Sequence, residues 1–282
     1  MSSSGRAHLR EPRCGRIATI IFLAALAPGA HAAGPTDDQL FFSPGWCPSG
    51  ETCDFKAEGV SARTKPPGGL DLTWTQSDGR TQSWEIRAKD FASAIKCSEE
   101  MCSLPSAKGC YAGCVATPPI PKILDRRTGR LYFTVLGFDG EVTLFAFDLA
   151  NAKTSPVLED RSFGGIGEVS LSPGRRYLAY LRGHHGSYCE DFLRLRVYDL
   201  NERRHLSFPG DADPWKRVHE AGIVDSYSDP RWLSENEIEL RHSEWTIEAC
   251  VGDKHPDEDR VTIVRLEIPP VPAGTAATPS RR

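Results

Sequence analysis

The sequence lacks the short motifs that mark several common enzyme classes. It has no Gly-x-Ser-x-Gly nucleophile elbow, no glycine-rich phosphate loop and no dinucleotide-binding fingerprint. His219-Glu220 is not followed by the second histidine that a zinc-protease helix requires. These absences favour a protein that binds over one that catalyses. We therefore expect no cofactor, no metal site and no catalytic residue that could be named from sequence.

Positive charge and long apolar runs are also scarce. The chain has 34 Lys and Arg against 38 Asp and Glu, a net charge of −4. A net-acidic chain repels phosphate backbones, so nucleic acid is not an expected partner. The longest apolar run, residues 17–27, is far short of the ~20 residues that cross a bilayer. We expect no membrane span.

The segment 1–32 has the pattern of a cleavable export signal. Four arginines precede the apolar run, a Pro-Gly pair follows it, and Ala30-His-Ala32 places small residues where signal peptidase reads the chain. The sequence therefore predicts a mature protein that begins near Ala33. Its expected location is the periplasm or the cell exterior.

The cysteine count agrees with export. Of nine cysteines, only Cys14 lies in the signal segment, and the remaining even number predicts disulfide bonds. Cys47 and Cys53 are expected to close a small loop. The spacings of Cys97 with Cys102 and of Cys110 with Cys114 would also suit a zinc site, but disulfides are favoured in an exported chain. Four closely spaced cysteines should pair among themselves in an order that the sequence leaves open: Cys97, Cys102, Cys110 and Cys114.

The mature chain divides into three parts. Residues 33–121 are rich in loops and cysteines, and contain one predicted β-hairpin with strands at 70–75 and 82–87 joined by an Asp-Gly turn. Residues 122–268 repeat a unit of strand, turn, strand, hairpin loop and strand. The proline-rich segment 269–282 has little to bury and is expected to be disordered.

Two segments of the repeats resemble the TolB-type β-propeller repeat. They are 172–180 (SPGRRYLAY) and 197–200 (VYDL), and the segment from Asp229 is similar in a divergent form. In that repeat Ser-Pro-Asp-Gly leads into a buried strand and an aromatic-x-Asp-Leu strand closes the blade. The aspartate of the first motif is absent here. The resemblance implies an all-β fold of propeller-like blades over 122–268, forming a small or incomplete propeller, and brings no catalytic residue with it. A plain antiparallel sandwich is the alternative.

The repeat also predicts one further disulfide. Cys189 and Cys250 occupy the extended hairpin loops of two neighbouring units, at similar distances beyond the first strands of those hairpins. Equivalent loops of adjacent blades emerge on the same face, so the two cysteines are expected to pair.

Several polar and aromatic residues of the loops are candidates for contact with a ligand. His184 and His185 are adjacent in one hairpin loop, and Trp215 lies between two repeat units with basic neighbours. Exposed loop histidines and a structural tryptophan are the plainer interpretations. An enzyme built on the same fold would need converging carboxylates, for which the candidates are Asp139, Glu190 and Asp225.

Two hypotheses about function follow. The first is an exported, non-enzymatic protein that uses a propeller-like surface to bind a protein or an envelope ligand. The second is a secreted hydrolase with carboxylates converging on a propeller channel. An exposed aromatic patch would favour binding, whereas converging polar groups with shifted pKa values would favour catalysis.

Overall fold

The computed structural model describes residues 38–42, 47, 51–65, 68–91, 94–95, 118–137, 141–160, 165–184, 192–206, 220, 222–246 and 261–268, all within the compact unit Ala33–Arg282. These residues form sixteen β-strands: β1 Gln39–Phe41, β2 Asp54–Ala57, β3 Val60–Lys65, β4 Gly69–Thr75, β5 Thr81–Ile86, β6 Ile120–Asp125, β7 Arg130–Leu136, β8 Val142–Asp148, β9 Lys153–Asp160, β10 Ile166–Leu171, β11 Tyr177–His184, β12 Phe192–Asp199, β13 Arg204–Leu206, β14 Ile223–Ser234, β15 Glu237–Thr246 and β16 Val261–Glu267. No helix long and apolar enough to cross a bilayer occurs among them.

The strands form four antiparallel sheets. The first sheet is β2–β5, the second is β1 with β6–β9, the third is β10–β13 and the fourth is β14–β16. Apart from β1, each strand pairs with its neighbours in the sequence, so every sheet is a meander of the kind that forms a propeller blade. The all-β fold of blade-like units predicted from the sequence is confirmed.

Successive sheets are packed face to face through three apolar cores. In β7, Leu131 and Phe133 enter the core shared with the first sheet, whereas Tyr132 enters the core shared with the third. In β11, Tyr180 faces the second sheet and Tyr177 faces the fourth. Because side chains alternate along a strand, the two middle sheets are buried on both faces. This stacking of meanders in chain order is the arrangement expected of propeller-like blades.

The predicted hairpin of the N-terminal part is present as β4 and β5. Gly79 adopts a φ of +83°, and its N–H donates to the carbonyl of Gln76 at 2.9 Å, which closes the turn. Two further strands of the N-terminal part, β2 and β3, complete this sheet. Val60, Ala62 and Thr64 alternate inward along β3, a pattern too short and too mixed in polarity to stand out in sequence.

The repeat units are larger than predicted. The second and third sheets each have an additional outer strand, β9 and β13. These strands lie at sheet edges and each buries a single apolar side chain, Leu158 and Leu206, so they lack the apolar alternation on which the prediction depended. The boundary expected between 121 and 122 falls inside β6, so the second sheet begins earlier than the repeat pattern indicated.

The backbone of His184 is in a strand and not in the hairpin loop where the sequence placed it. It pairs with Phe192 at the end of the β11–β12 ladder, three residues beyond Leu181, where the apolar pattern of the sequence predicts the strand to end. The pairing extends because the two strands continue their register past Leu181, although the sequence there turns polar and glycine-rich. Strand β14 is likewise longer than predicted and begins at Ile223.

The turn at 172–175 shows how this chain replaces the aspartate missing from the TolB-type motif. The Glu235 carboxylate, from the turn between β14 and β15, accepts from the Ser172 hydroxyl at 2.8 Å and from the Gly174 N–H. A Cβ at Gly174 would lie only 2.6 Å from that carboxylate, so a larger residue there would displace the Glu235 side chain from the turn. Arg175 completes the turn with a φ of +64°. A carboxylate from the neighbouring sheet thus caps the turn.

Arg175 also forms the most buried ion pair among the described residues. Its guanidinium donates to Asp125 at 2.8 Å, and the exposed fractions of the two side chains are 9% and 0%. Asp125 accepts a second hydrogen bond from Thr128 at 2.6 Å. A buried pair with its remaining oxygen satisfied is costly to break from one side, because the other charge is then stranded. This pair joins the second sheet to the third.

Near the N-terminus the disulfide predicted between Cys47 and Cys53 is present, with Cα atoms 6.0 Å apart. Cys47 is fully buried in the core shared by the first and second sheets. Thr64 on β3 supports the loop, since its hydroxyl accepts from the Cys53 N–H at 2.7 Å and donates to the Glu51 carbonyl at 3.2 Å.

Candidate binding site

A short strand from the N-terminal part builds the floor of the candidate site. Strand β1 pairs with β6 and so adds a strand on the inner side of the second sheet. The Gln39 side-chain amide donates to the Leu171 carbonyl of β10 at 2.7 Å and accepts from the Leu171 N–H at 2.8 Å. This buried amide satisfies both backbone groups of a residue at a sheet edge. β1 therefore bridges the first strands of two neighbouring sheets.

A cavity of about 510 Å³ opens where β1, β6, β10 and β14 come together. Its apolar lining includes Phe41, Phe42, Ile120 and Val169, and Pro230 lies opposite on β14. A cavity of this size that is mainly apolar and has a few polar groups is typical of a ligand site.

Phe41 is the exposed aromatic residue of this cavity. Its neighbours Leu40 and Phe42 are buried, whereas half of Phe41 (50%) is exposed to solvent. Among the described residues only Ile263 is an exposed apolar side chain of comparable size. An aromatic ring left in water beside an apolar cavity is a common feature of protein-contact surfaces.

Lys122 is the unusual polar group of the cavity. It lies on β6, its carbonyl accepts from the Phe42 N–H at 3.0 Å, and its side chain lines the cavity. Burial lowers the pKa of the Lys122 ammonium to about 8, because the apolar surroundings disfavour the charged form. Within the described part of the chain its amine has no hydrogen-bond or ion-pair partner. A ligand that brings an acceptor would supply one.

Two carboxyl groups lie at the rim of the same cavity. The Asp229 N–H donates to the Glu168 carboxylate at 3.0 Å. Partial burial of the Glu168 carboxyl, together with the nearby charge of Asp229, raises the pKa of Glu168. Asp229 has a φ of +53° at a bulge in β14, and a backbone outlier of this kind often marks a functional site.

None of the residues singled out from the sequence is among the described residues that line this cavity. His185, Trp215, Asp139 and Glu190 lie outside the described residues, as do six of the eight mature cysteines and the signal and tail segments. Asp225 and His184 are placed only by their backbones, on β14 and β11. No group of three or more metal-binding side chains occurs among the residues that the structure describes.

Sequence reasoning missed Phe41, Lys122 and Glu168. One signal was present in the adjacent Phe41 and Phe42, because only one of two consecutive side chains can face a core on an alternating strand. Nothing in the sequence brings that strand beside Lys122 or Glu168, because the pairing crosses about eighty residues of chain.

Comparisons with known proteins show no matching family model and no matching curated protein. Solved structures similar to this chain include the β-propeller domain of the Trilobed protease from Pyrococcus furiosus, with 10% identity, a TM-score of 0.34, and coverage of 72% of this chain and 48% of that one. The acylaminoacyl peptidase of Pyrococcus horikoshii has 10% identity, a TM-score of 0.33, and coverage of 74% and 32%. A protein assigned as TolB in Agrobacterium tumefaciens has 10% identity, a TM-score of 0.27, and coverage of 82% and 91%.

The chain spans about half or less of the length of the peptidase structures, and most of the length of the TolB structure. Both the propeller-like fold and the TolB-type resemblance inferred from sequence have counterparts in this set. Because the set contains a TolB and several peptidases, it does not separate a binding protein from a hydrolase.

Proposed function

We propose that the protein is an exported, non-enzymatic binding protein whose cavity at β1, β6, β10 and β14 receives an apolar side chain of a protein or envelope partner. The observation that carries the proposal is the half-exposed Phe41 ring beside an apolar cavity. Lys122 would donate to a carbonyl or carboxylate of the same partner, since its amine has no acceptor among the described residues.

The test compares Phe41→Ala with the matched control Ile263→Ala. Both substitutions remove an exposed apolar side chain, but Ile263 lies on β16, away from the cavity lining. The mature protein is cross-linked in envelope extract, the captured partner is purified, and its affinity is measured by calorimetry. Loss of a hot-spot aromatic costs about 2 kcal/mol, which is roughly thirtyfold in Kd. Equal affinity for the two variants would refute the assignment of this site.

Export has its own test. The proposal rests on the signal pattern of residues 1–32 and on the cysteine content. N-terminal sequencing of the secreted or periplasmic fraction should give a chain that starts near Ala33. Recovery of a soluble exported form that still begins at Met1 would contradict it.

One observation favours the hydrolase as a second candidate. The pKa of Lys122 is lowered and the pKa of Glu168 is raised, so the pKa values of two groups that line one cavity both shift toward neutral pH. Acid–base catalysts are tuned in this direction. Hydrolysis of a glycan or peptide substrate that is lost in both Lys122→Met and Glu168→Gln would support catalysis, whereas a protein inactive on all such substrates would support binding alone.

A further inference from the structure

A second cavity, of about 470 Å³, lies between the second and third sheets. Tyr132, Ala146 and Tyr198 line it from strands β7, β8 and β12, and all three are buried. Most of its remaining lining is polar, and part of it comes from strand β9 with the β8–β9 turn before it and from the β12–β13 turn. This cavity shares no lining residue with the one at β1, so it is a separate site.

The two turns are built in the same way. The Asp148 carboxylate accepts from the N–H groups of Ala150 and Asn151, at 2.9 and 3.2 Å. Asp199 accepts in the same way from the two corresponding N–H groups of its own turn, at 2.9 and 3.0 Å. These carboxylates fix the turns without needing a cation from the cavity. The basic residues Lys153 and Arg203, which follow or end these turns, are therefore attached to a well-defined backbone.

Arg203 occupies the left-handed position of its turn, with a φ of +55°. The corresponding residue of the other turn is Ala152, with a φ of +50°. Glycine or asparagine would adopt this conformation at lower cost. Arg203 is among the residues that line the cavity, whereas its counterpart Ala152 is not.

The charges around the cavity do not cancel. Four basic residues line it against the single carboxylate of Asp148. Asp125 neutralises Arg175. Arg130 lies opposite Asp148 on the paired strand and lowers the pKa of that carboxyl, although hydrogen bonds from the β8–β9 turn lower it more. Lys153 and Arg203 have no acidic partner within the described residues. Two cations thus face one cavity from two sheets.

We propose that this cavity binds the phosphate group of a small phosphate monoester. Lys153 and Arg203 would take the phosphate oxygens from opposite sides, since a guanidinium fork and an ammonium are the usual phosphate donors. Ser155 and Asn201 add neutral donors to the lining. The volume exceeds what a bare phosphate fills, and the surface of Tyr132 and Tyr198 leaves room for the organic group.

The site differs from the nucleic-acid binding that the acidic chain excludes. A continuous phosphate backbone would be repelled by the net charge of −4 of the whole chain, whereas one phosphate meets the local excess of two cations. Because the cations are exposed, their attraction should weaken as salt rises.

Calorimetry at low ionic strength provides the test, with glucose 6-phosphate, inorganic phosphate and glucose as probes. Glucose 6-phosphate should bind with a Kd of about 1 mM or below, a weak but measurable affinity. Tighter binding of the ester than of inorganic phosphate would support the proposal, and equal or weaker binding of the ester would overturn it in favour of free phosphate. Binding of glucose with the same affinity, or no heat from either phosphate up to about 10 mM, would overturn the proposal.

The variant to test is Arg203→Asn combined with Lys153→Gln. Asparagine tolerates the left-handed turn, so the protein should remain folded, which a melting curve checks. Arg204→Gln is the matched control, because it removes a charge from the same region without touching the cavity lining. Loss of two charge-assisted contacts should weaken phosphate binding by at least about tenfold, and the control by less than about twofold. Equal affinities for the double variant and the control would refute the site.

Discussion

Replacing Lys122 by methionine tests whether the cavity at β1 holds an amine out of water. Burial lowers the pKa of Lys122 from 10.5 to about 8, so the unfolded chain holds the proton more tightly than the folded one. At a pH below about 8 the folded state must keep a charge that its surroundings disfavour. As pH rises from about 8 toward 10.5 the amine loses its proton in the folded state first, and the folded state gains stability.

The magnitude follows from the two pKa values. Between about pH 7.5 and 9.5 the free energy of unfolding should rise by roughly 2 kcal/mol, reduced to about 1 kcal/mol because part of the side chain still reaches solvent. Lys122→Met removes this titration and keeps a similar volume. The variant should therefore be more stable than the wild type near neutral pH, and the difference should shrink as pH rises.

Urea unfolding at three pH values between those limits measures the effect. Lys56→Met is the control, because Lys56 is exposed on β2 and its replacement should leave the pH profile of the wild type in place. The reasoning would be refuted if the stability difference between wild type and Lys122→Met stayed constant across the pH range. A constant difference would mean that the Lys122 amine is solvated in the folded protein and needs no hydrogen-bond acceptor from a ligand.

Two further predictions concern the cross-links between sheets. Asp125→Asn should lower the free energy of unfolding by about 3 kcal/mol, because it leaves the buried Arg175 without its ion-pair partner. The control Asp54→Asn, at an exposed ion pair, should leave the melting temperature almost unchanged. Similar melting temperatures for the two variants would contradict the burial argument. Non-reducing peptide mapping should recover Cys189 joined to Cys250. This disulfide closes a loop of about sixty residues, for which a stabilisation of roughly 4 kcal/mol is expected. Finding either cysteine free or paired elsewhere would show that the two hairpin loops are not equivalent.

Many of the strands could be predicted from local patterns of apolar and polar residues in the sequence. The alternation at 70–75 and 82–87, with an Asp-Gly turn between, predicted β4 and β5 because one face of that hairpin is buried and the other is wet. The inner strands of the repeats were predicted from short apolar runs, which are typical of strands buried on both faces. The edge strand β9 was missed because it buries little, so its sequence carries no apolar period.

The candidate site was not accessible in this way. Phe41 and Lys122 were each visible as residue types, but the pairing of β1 with β6 depends on which strand best completes the edge of the second sheet. That choice is made by hydrogen bonds and burial between segments about eighty residues apart, and no local period encodes it. The turn at 172–175 is a similar case, because its missing aspartate is replaced by a carboxylate from another sheet.

The sequence by itself determined the β-rich architecture, the blade-like repeat and the loop closed by Cys47 and Cys53, because each depends on residues close together in the chain. Only the tertiary structure decided which sheets meet, where β1 inserts and which charges face a common cavity. The alternation of side chains along a strand places them on two faces, but it does not determine which sheet packs against each face. Burial and hydrogen bonding across the assembled sheets make that selection, and the two cavities form where they do so.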